Sequence, residues 1–238
     1  FGLIGLISSM HLLGRKKELH IYAHEELEEI VNLQLKASKT ELNYPLFFHP
    51  LPENESLIIL EDENIRVSNI ILDHSIKCCG FLFEEKKSPR KILANAVEKY
   101  NIPNTKINGL KNGADWINDN GEVVPNNLLT KPNSSPYKYA YCSDTRFNNK
   151  IIKQIKEVDL LYHEATFMHD LIDRAEQTGH STTLQAAQIA KQANVKKLLI
   201  GHFSQRYKDL NDLLIQTKEG FSNVTLSYAG LVIDFQDI

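Results

Sequence analysis

Thiols are scarce in this chain of 238 residues: there are three cysteines, at positions 78, 79 and 142. An odd count argues against a disulfide scaffold. The adjacent pair Cys78–Cys79 has neither the spacing of a zinc ribbon nor that of a redox C-x-x-C site. The expected state is reduced thiols in a cytoplasmic protein. Long apolar runs are missing too. Leu3 to Leu13 is too short to span a bilayer and has no basic flank, so neither a membrane span nor a targeting signal is expected there. A charge excess is also missing. The net charge is −3, so any surface for nucleic acid has to be a local patch. No internal repeat or low-complexity tract is visible. What the chain does have is 42% apolar and 24% charged residues, enough for the core of one α/β domain, or of a domain with an excursion. It starts with Phe and not Met, so a trimmed start or a frame entered part-way is expected.

Apolar spacing predicts a helix over Leu3–Leu13, closed by Gly14, a strand over Leu19–Ala23, and a helix over Glu25–Ser38 with Leu27, Ile30, Val31 and Leu35 as its stripe. Strands are expected at Leu57–Leu60, Ile65–Val67, Ile70–Leu72 and Phe81–Phe83. From Glu84 to Pro136 the texture changes: five of the eight prolines lie there, with one helical piece at Leu93–Tyr100. This stretch reads as an excursion from the core. Alternation resumes afterwards. Strands are predicted at Tyr139–Cys142, Leu160–Tyr162 and Lys197–Ile200, with the last strands within Val224–Phe235. Helices are predicted at Ile151–Lys156, Thr182–Ala193 and Leu210–Thr217.

Four predicted strands each run into a residue able to bind metal or move a proton: His74, Asp144, Glu164 and His202. In layered α/β folds, sites gather beyond one end of the strands, where loops are free of packing duty. Imidazole and carboxylate without thiolate suit a hydrolytic zinc or manganese site. Taken singly, each has a plainer reading. A histidine after a strand is ordinarily a hydrogen-bonded surface residue, and Asp144 before Thr145-Arg146 serves equally well as a turn or N-cap residue. His163 and His169 read as local polar contacts.

The order of short motifs is more specific. Tyr162-His163-Glu164-Ala165-Thr166-Phe167, then Gly179-His180-Ser181-Thr182, then Gly201-His202-Phe203-Ser204-Gln205-Arg206-Tyr207 resembles the ribonuclease Z signature of HEAT, HST and a final metal histidine. Ser143-Asp144-Thr145-Arg146 resembles that family's GDTR segment, with Ser for Gly. Asp73-His74 followed by Cys79-Gly80-Phe81 resembles its H-x-x-x-x-x-G-[YF] segment. Gly2 to Ser9 resembles the helix that follows the family's H-x-H-x-D-H loop. The resemblance runs from Phe1 to about Asp234. It implies a metallo-β-lactamase αβ/βα four-layer sandwich over 1–238, incomplete at its N-terminus, with residues 84–136 as an inserted two-helix tRNA-binding arm. The H-x-H-x-D-H ligands do not occur in these 238 residues, so the expectation is an enzyme in the intact protein and an inactive polypeptide as it stands.

The resemblance implies two Zn²⁺ per subunit, with Mn²⁺ as the other ion to consider. His74 would serve one ion and His202 the other, with Asp144 bridging, and His180 oriented by Glu164 would act as general acid. An N-cap neighbour is the plainer role for His180. The implied substrate is precursor tRNA, the implied assembly a homodimer. Between Lys86 and Lys111 stand seven basic residues (Lys86, Lys87, Arg90, Lys91, Lys99, Lys106, Lys111) and one acid, Glu98, which leaves −9 on the rest of the chain. Segregation of this size suggests phosphate contacts, although a solvated loop is also lysine-rich. Arg146 and Arg206 are further candidates for contact with RNA. Where the family's arm carries Gly-Pro, this one has Pro103-Asn104-Thr105. Two other readings stay open: a metallo-β-lactamase-fold hydrolase of small esters or phosphodiesters, and a non-catalytic RNA-binding or dimerisation module.

Overall fold

Short apolar runs separated by turn residues become strands, and stretches with one apolar face become helices that cover them. A computed structural model describes residues 2–133 and 135–238. Phe1, where the resemblance begins, and Ser134, in the excursion, lie outside the described residues. In chain order the elements are α1 (Gly2–Leu12), β1 (Leu19–Ala23), α2 (Glu26–Ala37), β2 (Leu46–Pro50), β3 (Ile58–Glu61), β4 (Ile65–Ile71) and β5 (Cys79–Glu85). The excursion holds β6 (Lys91–Ile92), α3 (Ala94–Lys99), α4 (Ile107–Lys111), β7 (Trp116–Ile117), β8 (Val123–Val124), α5 (Asn126–Leu129) and β9 (Thr130–Lys131). Then follow β10 (Lys138–Cys142), β11 (Leu160–Glu164), α6 (Ile172–Thr178), α7 (Thr183–Gln192), β12 (Lys197–Gly201), α8 (Asn211–Gly220) and β13 (Val224–Leu226).

Seven strands form the main sheet in the order β13-β12-β11-β10-β5-β4-β3. Strands β10 to β13 pair in parallel, while β10–β5, β5–β4 and β4–β3 pair antiparallel. Two antiparallel steps separate β4 from β10, so β4 points the same way as β10, β11 and β12. Together with β13, these strands therefore finish at one edge of the sheet, and the loops after β4, β10, β11 and β12 share that edge. This topology gathers His74, Asp144, Glu164 and His202 from positions far apart in sequence.

The main core lies between this sheet and its helices. Ile70, Leu82, Ala140 and Leu161 pack with Ile151, Ile155, Ala186, Ile189 and Ala190, all buried. Helix α7 starts at a capping box, in which the Thr182 hydroxyl accepts from the Gln185 amide and the Gln185 side chain returns to the Thr182 amide. A second core joins α1 and α2 to the parallel pair β1–β2 through Ile7, Val31 and Tyr44. No helix of the described residues is long and apolar enough to cross a membrane.

The excursion departs from its sequence reading. Besides its helices it contains two small two-stranded sheets, β6–β9 and β7–β8, and a core of its own around Ala96, Ile102, Leu110, Trp116, Val124 and Leu129. Three further expectations change. The runs at 65–67 and 70–72 are one strand, β4, continuous across Ser68 and Asn69 because both pair with β5. Residues 149–153 form a 3₁₀ turn where an α-helix was expected. The last strand stops at Leu226, as its pairing with β12 ends at Ile200, and no strand follows among the described residues.

Candidate active site

Glu164 closes β11 and is completely buried. Its two oxygens accept four hydrogen bonds. Oε1 receives the Thr145 amide at 2.7 Å and His180 Nδ1 at 2.8 Å. Oε2 receives the Thr166 hydroxyl at 2.6 Å and the Ser181 amide at 3.1 Å. Burial pushes the carboxyl pKa up, but the hydrogen bonds from His180 and Thr166 outweigh it and hold it below the ordinary value. The same bond raises the His180 pKa against its own partial burial. Glu164 is thus an anion whose charge is fully used, and it fixes His180 with Nδ1 as the bonded nitrogen.

Hydrogen-bond partners assign the other imidazoles as well. His74 Nδ1 lies 2.7 Å from the Gly179 carbonyl. A carbonyl only accepts, so Nδ1 carries the proton and Nε2 the lone pair. His202 Nδ1 lies 2.9 Å from the Thr166 hydroxyl. That hydroxyl spends its proton on Glu164, so His202 Nδ1 is again the donor and Nε2 holds a lone pair. Yet His202 Nε2 stands 3.0 Å from Asp144 Oδ1. Two acceptors that close need a proton or a cation between them. This arrangement fits a metal ion, with Thr166 holding the imidazole from behind as outer partners of metal histidines do.

Ligand atoms of Asp144, Glu164, His180 and His202 lie within 4.8 Å of one another. His74 stands beside them, its ring centroid 5.0 Å from that of His180, which is 5.1 Å from that of His202. Both Asp144 (φ 56) and His202 (φ 58) adopt left-handed backbone conformations, which L-residues with a Cβ enter at a cost. The Cys78 thiol donates to the Asp144 carbonyl at 3.0 Å. Burial pushes that thiol's pKa up to about 12, so it stays protonated as a donor.

All five residues singled out by strand ends and motifs are therefore neighbours. His163 is buried and points elsewhere: its Nδ1 lies 2.7 Å from the Glu164 carbonyl oxygen, and burial lowers its pKa. His169 packs on the Thr182 hydroxyl at 2.9 Å. Among the arm cations, Lys87, Lys91, Lys99 and Lys106 are exposed, whereas Lys86, Arg90 and Lys111 are half-buried. The Arg90 guanidinium is bound internally to Thr130, at 2.6 Å to the hydroxyl and 3.3 Å to the carbonyl, and Lys86 pairs with Glu61 at 2.8 Å. Arg206 is exposed, with its guanidinium carbon 5.0 Å from the centre of the Phe167 ring. Arg146 is paired within the chain, with Asp73 and Glu176. Sequence reasoning missed Thr166, Gly179 and Cys78. The first two sit inside or beside the HEAT and HST segments, so their motif positions were the available signal. Nothing in the sequence marks Cys78.

No family model matches this sequence. The chain is 45% identical to the ribonuclease Z of Bacteroides fragilis over 233 residues, which cover 98% of this chain and 77% of that protein. Its fold superposes on that of human tRNase Z, short form, with a TM-score of 0.63 at 23% identity, covering 99% of this chain and 74% of that one. It also superposes on the metallo-β-lactamase fold protein YhfI from Bacillus subtilis, with a TM-score of 0.61 at 17% identity over 97% of this chain and 71% of that one. With a mixed sheet whose strand ends assemble a histidine–carboxylate cluster, and with that degree of identity along nearly its whole length, the chain belongs to the ribonuclease Z family and has the metallo-β-lactamase fold.

Proposed function

We propose that this chain carries the hydrolytic site of a tRNA 3′-processing endoribonuclease, with His74, Asp144 and His202 as metal ligands and Glu164–His180 as the proton-transfer pair. The observation that carries the reading is the fully bonded, buried Glu164 at 2.8 Å from His180 Nδ1, beside the Asp144–His202 pair. The donor set has imidazole and carboxylate but no thiolate, which suits Zn²⁺ and also accepts Mn²⁺. The proposed complement is two Zn²⁺ in the intact protein, since His74, Asp144 and His202 alone are too few ligands for two ions. When bound, such ions supply Lewis acidity toward a phosphoryl oxygen and lower the pKa of water.

The remaining chemistry belongs to the chain's own side chains. Glu164 holds the His180 imidazole by Nδ1, which leaves Nε2 to pass a proton to the departing 3′ oxygen of the tRNA. A raised pKa keeps His180 charged further into the neutral range, as a general acid requires. Thr166 couples Glu164 to His202, so the acid and the ligand share one rigid frame. The excursion 84–136 is the proposed tRNA-binding arm. Its exposed Lys87, Lys91 and Lys106, and Lys99 over the Tyr100 ring, are placed at the surface where phosphates can reach them.

A homodimer and a cytoplasmic location complete the proposal. Leu6, Leu12, Leu13, Ile30 and Leu33 on and beside α1 and α2 are exposed, and exposed apolar side chains in this number favour a partner. Three free cysteines accord with a reducing compartment. The test is single-turnover cleavage of a 3′-extended tRNA by the intact protein, with binding measured separately. His180→Ala should lower the rate by roughly 10²–10⁴ and leave affinity nearly unchanged. Loss of affinity with the rate preserved would overturn the general-acid role.

A further inference from the structure

One arginine ties a loop of the site to the helix that leads into another. Arg146 lies two residues past Asp144. Its backbone N–H donates to the Asp73 carbonyl at 2.7 Å, and its Nη1 reaches Asp73 Oδ1 at 3.0 Å. Its Nε donates to the Glu176 carbonyl at 2.9 Å and lies 3.4 Å from Glu176 Oε1. Asp73 directly precedes His74. Glu176 stands in the last turn of α6, which ends at left-handed Gly179. Gly179 in turn accepts from His74 Nδ1 at 2.7 Å, and His180 follows it.

We propose that Arg146 is a positioning residue that closes a ring of contacts running from Arg146 to Asp73, His74, Gly179, Glu176 and back. The ring keeps the His74 Nδ1–H on the Gly179 carbonyl and fixes the spacing between His74 and His180. The inference rests on the reading of these two histidines as functional. Arg146 bonds the loop after β4 and the last turn of α6 through Nη1 and Nε at once. A planar guanidinium offers such a fork, and a lysine ammonium does not. The side chain is 24% exposed, in contrast to exposed Arg206. A cation placed to meet RNA phosphates would keep its donors outward. Gly179 is a fitting partner, because a Cβ there would come within 2.5 Å of His74 Nδ1.

The test uses the whole chain free of metal and RNA, with ¹⁵N-labelled histidine. Ring nitrogen shifts report which His74 nitrogen carries the proton. In the wild type His74 should be held as the Nδ1–H form. In Arg146→Lys and Arg146→Met the ratio of Nδ1–H to Nε2–H forms should fall about tenfold, the scale of one charged hydrogen bond. Asp73→Asn, which opens the ring from its other side, should shift the ratio the same way. Affinity for a 3′-extended tRNA, measured alongside on the intact protein, should stay within about twofold, as no phosphate contact is lost. Amide exchange in β10 to β12 identifies any variant that has simply unfolded, and Asp73→Asn then decides. An unchanged His74 ratio overturns the brace. If affinity also falls, Arg146 is a phosphate contact instead. A wild-type protein that binds no tRNA defeats the reading of the intact protein as a tRNA endonuclease, while the imidazole ratio still decides the brace.

Discussion

Replacing Glu164 by Gln leaves the shape of the side chain intact and removes its charge from a site built of donors. The carboxylate accepts from Thr145, His180, Thr166 and Ser181. An amide presents one acceptor and one NH₂ group. If the NH₂ takes the Oε1 position, it faces the Thr145 amide and the His180 N–H. If it takes the Oε2 position, Thr166 can turn its proton to the His202 carbonyl, 2.9 Å away, but the Ser181 amide keeps no partner. The second orientation is the cheaper one. It still strands one buried N–H, at about 1–3 kcal/mol, and weakens a charged hydrogen bond to His180 worth roughly 1.5–3 kcal/mol. Glu164 and Ser181 are fully buried and the His180 side chain is 17% exposed, so solvent screening reduces neither term by much. The expected loss is about 3 kcal/mol, near the lower end for breaking a buried ion pair. For a chain of this size that lowers Tm by about 6–12 °C. Urea unfolding followed by far-UV circular dichroism should show a lower midpoint with an unchanged m value. A midpoint equivalent to wild type within about 0.5 kcal/mol, the scatter of innocuous surface substitutions, would refute the reasoning.

The same pair sets a pH dependence. His180 has a raised pKa, so its contribution is complete below the ordinary histidine value and is lost as pH rises through the raised one; that of Glu164, whose pKa is lowered, holds above the ordinary glutamate value and is lost as pH falls through the lowered one. Denaturation midpoints from acid to mildly alkaline pH should follow both limbs, and Glu164→Gln should remove both, since the amide does not titrate and no longer raises the His180 pKa. Gly179→Ala should cost stability, since the position has φ +80 and the new Cβ meets His74 Nδ1; the left-handed term alone is about 1–2 kcal/mol, and chelator competition should show weaker Zn²⁺ binding. Residues 86–136 should be removable. The Glu85 amide donates to the Tyr137 carbonyl at 2.9 Å, so Asn-Gly can join the two as a hairpin turn. Circular dichroism should show a folded chain, and tRNA binding should weaken with a flatter dependence on salt; undiminished binding would count against the arm.

The four site residues at strand ends were legible because alternation locates strands and topology brings parallel ends together. Glu164 and His180 were legible as a pair only through the HEAT and HST segments, since sixteen residues and a helix separate them. The arm's interior was not legible. Its strands β6 to β9 are two residues long, too short to show a period. Trp116 is buried in that core, yet no apolar repeat surrounds it in the sequence. Arginine partners were not legible for a related reason. Composition reports charge, but Arg90 bonds Thr130 and Arg146 bonds the exposed Asp73 and Glu176 within the chain, and only coordinates show the direction of a guanidinium.

Asp144 and His202 sit in a backbone conformation that glycine adopts freely and that other residues enter at roughly 1–2 kcal/mol each. Folding by itself would favour Gly or Asn at both places. A copy of this gene released from the need to cleave RNA gains stability by losing these two side chains, so decay should begin at the site and not in the core. The two φ angles thus tie the ligands to selection: the aspartate and the histidine persist for as long as their chemistry offsets a cost the fold carries on every cycle of folding.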